Sequence, residues 1–318
     1  MADSIKKTTR LKALFNSPQT TLMPFGVLPI HAQMAERAGF EAFEISGGMT
    51  SWWIGGVADV GLMTLTEVVQ HAASVARSVD IPVYCDVDTG YGSPINTRRT
   101  VQEFIRAGIA GIHLEDQLEP KKAGGQAGIE LVSDGEAIGR LNAACDARDE
   151  MDPDFVIVAR TDGYGAIGGS LDEAIRRGRL YKEETGADVI FYEGLHGWDE
   201  VKVALAETPG PAYAITSQRA GRAPSVAEMS AMGQTINIVP FLLPGVHDVW
   251  NLLLKVKETG EYSPIDDYIE AMNQTQGTPG YVGWGDAFIR PNYDDVRLME
   301  EKYLPAEKQR DYVNNANA

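Results

Sequence analysis

Cysteine is scarce in this sequence: its 318 residues include only Cys85 and Cys145. Two thiols make no disulfide framework, so a reducing cytoplasm is the expected location. Positive charge is short as well. Twenty-eight Lys and Arg stand against 45 Asp and Glu, a formal net charge of −17. Such a surface repels phosphate backbones and anionic lipid, so no nucleic acid and no membrane is expected as a partner. A small anionic substrate stays open, because it needs only a local positive site such as a divalent metal. No run reaches the ~18 consecutive apolar residues of a membrane span. HExxH, GxSxG and CxxC are missing, and no GxGxxG opens a helix after the first strand. The five histidines form no metal-ligand pattern, and His113 reads as a hydrogen-bonded core residue.

What remains is an ordinary globular composition, 44% hydrophobic and 23% charged, able to bury a large core unaided. Short apolar runs alternate with helical stretches. The strands read as Thr21–Val27, Ala42–Gly47, Pro82–Asp88, Gly111–Asp116, Phe155–Thr161, Val189–Glu193, Ala212–Thr216 and Ile236–Phe241. Near-continuous apolar runs are the mark of buried parallel strands. Between them, Val101, Phe104 and Ile105 stand at helical spacing before Gly108. Ser170 reads as the N-cap of a helix ending at Gly186. Eight such strands predict an α/β fold, a (β/α)8 TIM barrel over residues 1–260, with an open doubly wound sheet as the alternative. After Gly260 the pattern breaks into a C-terminal helical extension and polar tail, residues 261–318, with helices at Ile265–Asn273 and Asp294–Tyr303.

In a barrel of this kind the chemistry stands at the C-terminal strand ends. The second strand ends in Ser46-Gly47-Gly48, whose open N–H groups suit a carboxylate or phosphate, or make a plain turn. The third ends in CDVDTGYG; alternation predicts Asp86 and Asp88 on one side of the strand. Glu115 closes the fourth. Asp86, Asp88 and Glu115 make an oxygen-rich set suited to Mg²⁺ or Mn²⁺, against the plainer reading of solvated loop acids. Arg160 follows the fifth strand, either in a structural ion pair or facing a ligand carboxylate or enolate. Glu193 ends the sixth. A metal beside an Arg and an anion-binding turn suits a 2-oxo or 2-hydroxy acid that reacts through an enolate.

The texts SGG at 46–48, CDVDTGYG at 85–92, GIHLEDQLEPKK at 111–122, DPDFVIVARTD at 152–162 and GADVIFYEG at 186–194 stand in a telling order. With them the chain resembles the isocitrate lyase/phosphoenolpyruvate mutase superfamily. The resemblance implies a barrel whose terminal helix is exchanged between subunits of a homo-oligomer, a dimer or homotetramer. It implies Mg²⁺ or Mn²⁺ held by Asp88 and Glu115, with Asp86 and Asp59 nearby. Ser46, Gly47 and Gly48 match the substrate-carboxylate turn, Arg160 the substrate-binding Arg, and Glu193 an acid of the lyase branch.

One departure stands out. Lyases of this family carry a Lys-Lys/Arg-Cys-Gly-His gating loop whose Cys moves a proton. Here the loop reads Lys121-Lys122-Ala123-Gly124-Gly125, and a methyl group transfers no proton. The mutase Asn-Ser pair is missing too. The expected function is a Mg-dependent lyase cleaving a carbon–carbon bond of a 2-hydroxy or 2-oxo di- or tricarboxylate, by aldol-type cleavage or decarboxylation. Tyr91, Glu193 or a water would replace the Cys, Lys121 of the loop is counted with the catalytic groups, and Arg219 would meet a second substrate carboxylate. Phosphonate chemistry, by a mutase or phosphonopyruvate hydrolase, is the alternative. A barrel retained only for binding is the third reading.

Overall fold

The computed structural model describes residues 5–216 and 221–310. The chain divides after Leu243 into two compact units. The first holds eight parallel strands: β1 Thr21–Gly26, β2 Phe43–Ile45, β3 Val83–Asp86, β4 Gly111–Glu115, β5 Val156–Thr161, β6 Val189–Leu195, β7 Ala212–Thr216 and β8 Ile236–Val239. They pair in sequence order, and β1 also pairs with β8. The barrel is nearly closed between β7 and β8. There the Gln234 side chain replaces the missing ladder, taking the Ala214 N–H at 3.1 Å and giving its amide N–H to the Ala214 carbonyl at 2.8 Å. The (β/α)8 reading of the sequence is thereby met.

Alternation along the strands sorts the core into two layers. Inward-facing Met23, Ala42, Tyr84, Val156, Val158, Val189, Phe191, Tyr213 and Ile236 fill the barrel, with Leu11 and Phe15 of the helix Lys7–Phe15 packed against them. Outward-facing Phe43, Ile45, Val83, Cys85, Ile112, Leu114, Ile157, Ala159, Ile190 and Tyr192 pack on the surrounding helices. Cys85 therefore lies on the opposite face from Asp86, as alternation predicts. The helices start where their caps stand. Ser170 Oγ accepts the Glu173 N–H at 3.1 Å and opens Leu171–Glu184; Ser93 and Pro94 open Pro94–Arg106.

One local expectation needs correcting. Strand alternation is not what joins Asp86 and Asp88. The strand β3 ends at Asp86, and Asp88 adopts a left-handed φ of 50°. Its N–H donates to Asp86 Oδ1 at 2.9 Å, so a tight turn, not a pleat, brings the two acids to the same rim. Tyr91 follows with φ 61°; two non-glycine residues in this region mark a strained turn at the barrel mouth.

The second unit carries most of the helix Leu242–Thr259, and the helices Ser263–Asn273 and Tyr293–Tyr303. Val246, Val249, Trp250, Leu253 and Leu254 are exposed and fall on one helical stripe. Among the described residues no helix is long and apolar enough to cross a membrane.

Candidate active site

Above the apolar layer the inward positions turn polar. Glu44 of β2, Asp86 of β3, His113 and Glu115 of β4, Arg160 of β5 and Glu193 of β6 follow from the same alternation, at the C-terminal strand ends. A cavity of about 280 Å³ opens onto them. Glu44, Ser46, Gly48, Asp59, Asp86, His113, Arg160 and Glu193 line it, and Phe25, Met49, Trp52, Ile215, Ile238 and Leu243 supply an apolar wall. That volume lies just under the usual range of about 300–1,000 Å³ for drug-sized ligands and suits a small acid. A wider groove of about 820 Å³ runs outside the barrel, but its Arg176 and Arg177 are already paired with Asp134 and Glu173.

Beside the cavity Lys121 is almost fully buried, at 1% exposure. Its Nζ lies 2.6 Å from Asp59 Oδ1, 2.7 Å from Asp88 Oδ1 and 3.9 Å from Glu115 Oε1. Burial would strip its proton, but the surrounding carboxylates, Glu115 foremost, hold it firmly charged. Burial pushes Asp88 up to about 6, against the pull of Lys121. It raises Glu115 well above the usual carboxyl range, although Arg160 Nη1 lies 3.2 Å from Oε2.

The donor set fits a hard cation. Asp59 Oδ1, Asp88 Oδ1 and both Glu115 oxygens are buried without an aligned hydrogen bond, and oxygen-only donors are what Mg²⁺ or Mn²⁺ requires. In this arrangement no three acidic, His or Cys side chains among the described residues converge on one point. The Lys121 ammonium supplies the positive charge between them instead.

Asp86 is held elsewhere. Its Oδ1 lies 3.2 Å from His113 Nε2, and its Oδ2 accepts the Gly47 N–H at 3.3 Å. Burial alone would raise this carboxyl; the charge and hydrogen bond of His113, with Lys121 and Arg160, outweigh it and hold Asp86 below the carboxylate range. A Cβ on Gly47 would stand 2.5 Å from Asp86 Oδ2, so only glycine lets the Ser46-Gly47-Gly48 turn approach so closely. His113 is hydrogen-bonded as expected: its Nδ1 meets the Tyr84 hydroxyl at 3.0 Å, and Tyr84 meets Tyr213 at 3.0 Å.

Arg160 makes the structural ion pair and faces the cavity as well. It forks onto Asp162, Nε to Oδ2 at 3.0 Å and Nη2 to Oδ1 at 2.9 Å, which leaves Nη1 toward Glu115. Burial pushes Glu193 up to about 7, with Arg160 opposing.

The loop after β4 is clamped at its root. Gln117 takes the Lys122 N–H at 2.7 Å and donates to the Lys122 carbonyl at 2.9 Å. Glu119 accepts the Lys121 N–H at 3.0 Å and the Thr89 hydroxyl. These contacts aim Lys121 inward and lay Ala123 and Gly124 over the cavity.

The structure thus gathers Ser46, Gly47, Gly48, Asp59, Asp86, Asp88, Glu115, Lys121, Arg160 and Glu193 at one mouth. Tyr91 packs against the helix-side core and does not line the cavity. Arg219 lies outside the described residues. Sequence reading passed over Glu44, Gln117 and Glu119. A lone acid two residues before the Ser-Gly-Gly turn, in phase with it on the strand, was the signal for Glu44.

The profile of the phosphoenolpyruvate phosphomutase family matches residues 11–248. The chain belongs to the isocitrate lyase/phosphoenolpyruvate mutase superfamily. It is 39% identical to the 2,3-dimethylmalate lyase of Eubacterium barkeri, over 73% of this chain and 78% of that one. To a probable 2-methylisocitrate lyase of Corynebacterium glutamicum it is 42% identical, over 60% of this chain and 61% of the relative, under two thirds of that protein's length. Phosphonopyruvate hydrolase, solved with oxalate and Mg²⁺, superposes with a TM-score of 0.76 at 26% identity, covering 95% of this chain and all of the other. The superfamily placement agrees with the resemblance read from the motifs, and both sequence relatives are named as lyases, the enzyme class expected here.

Proposed function

We propose that this chain is a divalent-metal-dependent lyase that cleaves a carbon–carbon bond in a small, alkyl-bearing 2-hydroxy dicarboxylate. The observation that carries this is the asymmetry of the cavity. One wall is Arg160 and acids; the other is Phe25, Met49, Trp52, Ile215 and Ile238. Arg160 is the one Lys or Arg among the described residues lining it, and Arg222 is exposed. A tricarboxylate would bring more negative charge than this wall answers, whereas an alkyl group on a malate skeleton meets the apolar side.

Asp59, Asp88 and Glu115 would hold Mg²⁺ or Mn²⁺, which would supply positive charge to the oxygens of the 2-oxo fragment as it forms. Such an ion would replace the charge that Lys121 contributes among the same oxygens. Arg160, fixed by Asp162, would orient a substrate carboxylate. Glu193, poised about 7, would take the hydroxyl proton. As that proton leaves, the carbon–carbon bond breaks and its electron pair moves to the departing carbon.

The exposed apolar stripe on the helix Leu242–Thr259 supports self-association through the C-terminal extension, as a dimer or tetramer. Two buried free thiols suit a reducing cytoplasm.

The test is proton NMR of the protein with Mg²⁺ against 2,3-dimethylmalate, oxaloacetate, isocitrate, 2-methylisocitrate and phosphonopyruvate, each with a chelator control. Metal-dependent release of pyruvate from 2,3-dimethylmalate is the expected result. Turnover of phosphonopyruvate alone, with phosphate released, would replace this reading with phosphonate chemistry.

A further inference from the structure

Breaking the bond leaves a carbon that must receive a proton, and Ala123, the loop residue lying over the cavity, has none to give. Among the described residues, the other ionisable groups nearby are committed or lie off the cavity. Lys121 and Tyr91 do not line the cavity, and His113 is held between Tyr84 and Asp86. We infer that Glu44 is the proton donor to the released carbon, opposite Glu193 as the base. This assignment rests on the lyase reading above.

Glu44 lies on the inner face of β2, in phase with Ala42 below and Ser46 above, and its side chain lines the cavity. It is 95% buried, and its Oε2 has no hydrogen-bond partner. It makes no ion pair among the described residues, whereas Asp59, Asp86, Asp88 and Glu115 each face a cation. A buried carboxyl without a counter-charge keeps its proton, because burial disfavours the charged form. Burial raises Glu44 well above the usual range; Asp86 and Glu193 add to this, and Arg160 opposes it. For Glu193, Arg160 is the leading opposing charge. Two carboxyls on one cavity, one neutral and one poised to ionise, divide the acid and base roles between them.

The step balances without an outside reagent. The 2-hydroxyl proton passes to Glu193. The C2–C3 electron pair moves to C3 as the C2 carbonyl forms. Glu44 then gives its proton to C3, and exchange with solvent returns both carboxyls to their starting states.

The experiment compares the full-length wild type with Glu44→Gln and Glu44→Asp, using Mg²⁺ and 2,3-dimethylmalate in D₂O. The wild type should release propionate with one deuterium at C2, of a single configuration. Glu44→Gln keeps the shape but carries no acidic proton. It should lose about 10²–10⁴-fold in kcat, bind oxalate as the wild type does by calorimetry, and give racemic label in any residual product. Glu44→Asp retains a proton and should exceed Glu44→Gln at least tenfold. Wild-type rate and single-configuration label in Glu44→Gln, or equal rates for the two variants, would overturn the assignment and leave the lyase reading standing. A wild type that cleaves none of the acids in the panel removes both.

Discussion

Gly124 and Glu193 touch so closely that a β-carbon on Gly124 would overlap the Glu193 carboxylate. The glycine of the gate loop is thus matched to the proposed base on β6. In Gly124→Ala either the loop lifts or the carboxylate turns away from Arg160. Turnover should fall at least tenfold while the melting temperature changes little, since the loop buries few apolar groups. Unchanged kcat in a pH–rate series on this variant would show that the contact has no part in the chemistry.

The pH dependence has a definite sign. Glu193, raised to about 7, works as a base only when ionised, so kcat/KM should climb through that region as pH rises. Glu193→Gln should abolish the limb together with most activity. Stability should move the other way. Because the folded carboxyl binds its proton more tightly than the unfolded one, Glu193 adds a loss of up to about 1.4 kcal/mol per pH unit from the ordinary carboxyl range up to about 7. Urea titrations from pH 5 to 7 on wild type and Glu193→Gln read this difference directly. Parallel curves would contradict it.

Lys121 is the internal counter-ion of three buried carboxylates. Lys121→Met leaves Asp59 and Asp88 without their nearest counter-charge, at a cost of about 3–5 kcal/mol in the metal-free protein. Adding Mg²⁺ should recover more stability in the variant than in the wild type, since the ion meets no resident ammonium. Thermal melts with and without Mg²⁺ check this. Equal metal-induced shifts in both proteins would mean that cation and lysine do not share the site.

Much of this was legible before the structure. The eight strands could be read because most are short, largely apolar runs, and their alternation already separated Cys85 from Asp86. The acids at 86, 88 and 115 were visible because they follow such runs. Their arrangement was not. Asp88 reaches the rim through a left-handed turn, which periodicity does not encode. Lys121 enters the carboxylates because Gln117 and Glu119 bind its neighbouring backbone, side chain by side chain. Glu44 was hidden for a different reason. A single charged residue inside an apolar strand looks like an exposed edge position until the barrel closes around it. Its burial is a property of the assembled sheet, not of the segment Ala42–Gly47.

The most direct measurement is kcat/KM for 2,3-dimethylmalate against 2-methylisocitrate, with Mg²⁺ and with chelator, followed by NMR of the products. The cavity, where Arg160 is the one guanidinium among the described residues and faces an apolar wall, predicts metal-dependent cleavage of the dialkylmalate to pyruvate and propionate at least 100-fold faster than cleavage of the tricarboxylate. Faster cleavage of 2-methylisocitrate, or cleavage that survives the chelator, would contradict it.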